Sequence, residues 1–169
     1  MPEMVLSCSE GEYVCRSVSV GLYRKYTEIM ERNEGESAAD AVRCNSLILR
    51  TVFRISSREL SKINAVEQLK AAKAVHFVMQ EVVTPKFLEL NPEQSQQQEI
   101  SAFDEYDEEE GYNEEEETES IWRVLRENVD RVVKLCIRSF HDSYSKCMES
   151  DIMSLLDYVK FEILTAGEN

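Results

Sequence analysis

The chain has 169 residues, 33 acids against 19 bases, and a formal net charge of −14. This length suits one domain, and an apolar share of 43% supplies one sizeable core without disulfide staples. The charge argues against a generic binder of nucleic acid or anionic membrane, because such binders need a positive field.

The charge is unevenly placed. Residues 91–120 hold 13 of the acids and no Lys, Arg or His. Outside them 20 acids face 19 bases, so the rest of the chain is nearly neutral. The segment opens on Asn91-Pro92, passes through the polar run Gln94–Gln98, and ends in two acid blocks around Gly111. Such a composition buries too little apolar area to offset ordering entropy, so residues 91–119 are expected to form an acidic disordered loop.

Five glycines and three prolines are few for an all-β chain of this size. Residues 1–11 read as a flexible tail. From Glu12 to Asn33, Val14, Val18, Leu22, Tyr26, Ile29 and Met30 recur at helical spacing. Tyr13–Val20 also alternates, which leaves a short strand as the minor alternative. A second helix is expected from Ser37 to Ile55, with Ala41, Cys44, Ile48, Val52 and Ile55 as its stripe. Leu47, Leu49 and Phe53 widen that stripe. Ser56 and Glu59 have capping-box spacing, so a third helix should start there and run to Val83. Its expected core stripe is Val66, Leu69, Ala72, Val75, Met79 and Val82, with Pro85 as the stop.

After the acidic segment, Ser120 is a candidate cap for a fourth helix running through Val129, Val133, Cys136 and Phe140. That helix either continues past Tyr144 or breaks near His141. A fifth opens at Ser150-Asp151, carries Ile152, Leu156, Val159 and Ile163 on one face, and stops near Gly167. The expected architecture is all-α. It is a single-domain bundle of about five amphipathic helices, three within 12–90 and two within 120–166, which bury their apolar sides on each other.

No catalytic or metal pattern emerges. The two histidines, His76 and His141, have no zinc spacing to each other or to cysteine, and no Gly-rich phosphate loop exists. Catalytic residues, cofactors and metals are therefore expected to be none. The chain shows no signal peptide and no run long enough to span a membrane. Five cysteines without a CxxC pair suit reduced thiols in the cytoplasm or nucleus.

The expected function is a non-enzymatic interaction module, an adaptor or a subunit of a larger complex. Candidate contact residues are apolar positions beyond one stripe: Leu47, Phe53, Phe77 and Trp122. Arg50, Arg54, Arg58 and Lys62, spaced by four, would lie on one basic ridge if the second and third helices were continuous, and the cap at Ser56 interrupts that ridge. A second row holds Arg123, Arg126, Arg131, Lys134 and Arg138, with Glu127 placed to pair with Arg131. Phe103, Tyr106 and Tyr112 lie among the acids of the loop, where charge could steer and rings could anchor a basic partner. The alternative function is accordingly a chaperone or inhibitor of a basic protein. The expected partners are proteins, either a helix or a basic protein, with self-association a further option. No specific nucleic acid is expected. In size and helix content the chain resembles Bcl-2-like bundles, some of them viral regulators of death or innate signalling. The NWGR-type turn and the LxxxGD segment of that family are absent.

Overall fold

The computed structural model describes residues 1–34, 37–89 and 120–166. The expected acidic loop lies outside them. The described chain is mostly helical, with one two-stranded sheet.

That sheet replaces the expected tail. Strands β1 (Met4–Cys8) and β2 (Gly11–Cys15) form an antiparallel hairpin with Leu6 opposite Tyr13 and Cys8 opposite Gly11. Gly11 has φ of 144°, a conformation that L side chains rarely adopt. An isolated hairpin is marginal in water. This one is held because Met4 and Leu6 alternate onto its inner face and are fully buried against the helix Ala65–Phe77. Cys8 is therefore a strand residue, not part of a mobile end.

Helix α1 (Val20–Arg32) begins later than its periodicity suggests. Ser19 accepts the Leu22 N–H at 3.2 Å and sets the start. Two further bonds fix the entry: Val20 N–H to the Ser150 carbonyl at 3.0 Å and Ile152 N–H to the Val18 carbonyl at 2.9 Å. Val18 thus reaches the core from extended backbone, while Val14 is exposed on β2. A Cβ on Gly21 would stand 3.1 Å from the Met148 carbonyl oxygen, so the glycine permits this close approach.

Helix α2 (Ala38–Phe53) ends where Arg54 turns left-handed, at φ 54°. The Ser56–Glu59 capping box forms as expected, but α3 (Ser57–Leu60) lasts one turn. Asn64 then caps α4 (Ala65–Phe77) by accepting the Val66 N–H at 2.7 Å. The expected helix over 56–83 is therefore divided, because a second cap follows the first within eight residues.

Beyond α4 the backbone widens into a π segment (Val78–Val83) and continues as α5 (Thr84–Glu89). Pro85 does not stop the helix. The Thr84 N–H bonds the Met79 carbonyl five residues back. The wide turn gives the proline ring room where an α-turn would clash with the carbonyl four residues earlier.

Helix α6 (Ile121–Phe140) terminates at left-handed His141, which settles the break. Ser120 precedes it but makes no side-chain cap bond. Helices α7 (Tyr144–Glu149) and α8 (Ile152–Ala166) complete the described chain. Helix α1 lies between α2 and α6, and α4 packs on α2. Arg24 grips Asp130 with two bonds, at 2.7 and 3.2 Å, and Arg126 meets Glu31 at 3.2 Å, which tie α1 to α6. Cys44, Cys136 and Cys147 are buried thiols, and burial raises the Cys136 pKa to about 11.

Candidate functional site

Helices α2 and α4 leave a surface groove of about 190 Å³ between them. Its apolar walls come from Val42 and Leu49 on α2 and from Leu69 and Ala72 on α4. Two of its apolar lining residues stand in water, Val42 at 66% exposed and Leu69 at 52%, while Val66 and Phe77 are exposed on α4 outside the groove lining. Val66 and Leu69 thus leave the core stripe assigned to them by periodicity. Helix α4 is apolar on two sides. Ala71, Ala72 and Val75 are covered by neighbours, and Val66, Leu69 and Phe77 are not. Gln68 on the groove wall donates to the carbonyls of Leu60 and Ile63, at 3.0 and 2.8 Å, and so ties α4 to the α3 turn.

Beneath the groove runs a polar relay inside an aromatic cluster. The Gln80 amide donates to the Tyr26 hydroxyl at 3.0 Å. Tyr26 Oη stands 2.8 Å from His76 Nδ1, and His76 Nε2 stands 2.9 Å from Asn45 Oδ1. One assignment satisfies every member: Tyr26 donates to Nδ1, and the Nε2–H donates to Asn45. His76 is therefore the neutral Nε2–H tautomer, and burial holds its pKa below the ordinary histidine value. Next to the relay, Tyr23 Oη meets Thr84 Oγ1 at 2.8 Å, and Thr84 donates to the Met79 carbonyl at 2.9 Å. Burial raises both tyrosines' pKa values. Tyr23 stacks on Phe87 at a centroid distance of 5.1 Å, and Trp122 meets Tyr26 edge-on at 5.9 Å. The relay thus joins α1, α2, α4 and the π segment, and Asn45 at its end belongs to the groove wall.

The predicted contact residues are dispersed. Leu47 is 42% exposed on α2 and Phe77 is exposed on α4. Phe53 is buried and Trp122 is half-buried in the aromatic cluster, so both serve packing. Arg50, Arg54, Arg58 and Lys62 are all exposed, but they share no helix: α2 ends at Phe53, Arg54 is its left-handed cap, Arg58 sits in the one-turn α3 and Lys62 lies beyond it. In the second row Glu127 pairs backward with Arg123 at 3.4 Å, and Arg131 bonds Asn128 instead. Phe103, Tyr106 and Tyr112 lie outside the described residues.

His76 is a satisfied helix residue, as its apolar setting suggests, but its partners were not legible. The available signal was the four-residue step from His76 to Gln80 on one strip and the Tyr23/Tyr26 pair on another. Among the described residues no group of three or more His, Cys, Asp or Glu could hold a metal ion. No described helix is long and apolar enough to cross a membrane. Comparison with protein-family models, curated proteins and solved structures finds no match for the chain.

Proposed function

We propose that the protein is a non-enzymatic interaction module that takes an apolar partner helix into the α2–α4 groove. The observation that carries this reading is the exposure of Val42 and Leu69 on the two walls of one groove. Exposed apolar patches rimmed by polar residues mark interaction sites, and an amphipathic helix recognises such a groove through anchors one turn apart. The relay supports the floor rather than a reaction. Each polar atom of Tyr26 and His76 is engaged by another side chain of the protein. Five free thiols suit a reducing compartment, cytoplasm or nucleus.

Val42→Asp and Leu69→Asp place charges on exposed positions that line the groove and leave the fold intact by circular dichroism. Affinity capture from cells followed by reconstitution with the purified partner should then show at least about a tenfold loss of affinity, a value typical of a hot-spot anchor. Undiminished binding by both variants refutes the groove. Light scattering separates self-pairing: a concentration-dependent dimer abolished by Leu69→Asp would make the partner helix one from a second copy.

A further inference from the structure

The hairpin leaves one strand edge open. Cys8 and Gly11 close its two-residue turn as a pair that exchanges backbone hydrogen bonds, and the register runs unbroken from there to Met4 opposite Cys15. In an antiparallel ladder such pairs alternate with pairs whose N–H and C=O groups point outward. On β2 the outward residues are therefore Glu12 and Val14. Among the described residues no hydrogen bond reaches their backbone from outside the hairpin. Both are exposed, whereas β1 has no exposed residue, so β2 is the open edge. Natural edge strands are blunted by lysine, proline or a bulge, and β2 has none of these.

The outer face of the hairpin carries three cross-strand rows. Arg16 bonds Glu3 at 2.9 Å, Val14 lies opposite Val5, and Glu12 accepts from Ser7 at 3.4 Å. The middle row is apolar, and Val14 stands 41% exposed in it. A second β2, antiparallel and centred on Val14, extends every row. Val14 meets the partner's Val14, so the valine row crosses both hairpins. Positions 12 and 16 lie equally far from 14, so Glu12 meets the partner's Arg16 and Arg16 meets the partner's Glu12. This register also sets outward backbone groups against outward backbone groups. A slip of one residue would set them against groups already bonded to β1. A slip of two in either direction would set Val14 against a charge.

We infer that two copies of the chain pair along β2 and form a four-stranded antiparallel sheet about a two-fold axis at Val14. Charge complementarity selects a second copy, because the edge presents one acid and one base at mirror positions around an apolar centre. Each copy carries −14, but at physiological salt that general repulsion is screened beyond about 8 Å, and contacts at the edge decide. The edge is short, so the dimer is a weak one, with a Kd on the order of 100 µM or below. No residue of β2 lines the α2–α4 groove, so the two readings stand or fall separately.

Sedimentation equilibrium of the full-length protein at physiological salt tests the inference, at concentrations up to about ten times that Kd. A monomer–dimer equilibrium is expected, and amide exchange at Glu12 and Val14 should slow as concentration rises. Val14→Lys places two ammonium groups on the axis and should abolish the dimer. Glu12→Arg sets Arg against Arg at both symmetric sites and should weaken pairing about tenfold. Glu12→Arg with Arg16→Glu swaps the signs and should restore most of it, which keeps the test decisive if Val14→Lys disturbs folding. Leu69→Asp in the groove should leave the dimer unchanged. A monomer throughout that range, a dimer indifferent to Val14→Lys and Glu12→Arg, or a dimer lost in Leu69→Asp alone overturns the inference.

Discussion

Removing one oxygen from the centre of the relay tests its energetics. In Tyr26→Phe the ring keeps its place between His76 and Trp122, so packing is nearly conserved. Two hydrogen bonds are lost, from Gln80 at 3.0 Å and to His76 Nδ1 at 2.8 Å. Each is worth about 1 kcal/mol net in a folded protein. Both former partners are only half-buried, so water recovers part of their needs and the penalty for orphaned groups is not added in full. The expected destabilisation is about 2 kcal/mol, or about 4–8 °C in Tm for a chain of this size. Urea titration gives the free-energy difference, with an unchanged m-value confirming that compactness is preserved. A double-mutant cycle with Gln80→Leu should show coupling of about 0.5–1 kcal/mol, because the two changes remove one shared bond. A Tyr26→Phe protein as stable as wild type, or strict additivity in the cycle, would refute the assignment of Tyr26 as the joint of the relay.

The neutral His76 tautomer has a pH signature. Its pKa lies below the ordinary value in the folded protein, so the unfolded chain binds the proton first as pH falls. Stability should therefore decline as pH drops through about 6.5 and level off, for this group, below the folded pKa. Subtracting the melting curve of His76→Gln from that of wild type isolates the effect; His141→Gln, at an exposed site, is the control. A difference curve that is flat, or that rises toward acid, would contradict the tautomer. Leu6→Ala probes the hairpin. Leu6 is fully buried, so its truncation should cost about 2–5 kcal/mol, readable by urea melting, whereas a true tail would show no change.

Part of the candidate surface was legible before any coordinates. Leu47 and Phe77 exceed a single stripe, and both are exposed. The spacing of Arg50, Arg54, Arg58 and Lys62 is visible in the sequence, but the break of the helix at left-handed Arg54 is not. Phe53 and Trp122 satisfy the same sequence criterion as Leu47 yet lie against the core. A helix position is covered or bare according to which neighbour arrives, and period alone does not name the neighbour.

The same reason separates the two sources of information throughout. The sequence by itself determined the helical class, the capping box at Ser56 and Glu59, the buried thiols Cys44 and Cys136, and the segregation of acid into residues 91–120. These depend on residues within a few turns of each other. Only the tertiary structure decided that Met4 and Leu6 are core, because their burial depends on α4, more than fifty residues away. It also decided that Val66 and Leu69 are left in water. Helix α4 has more apolar surface than α2 and the hairpin cover, and only packing reveals which side is left over.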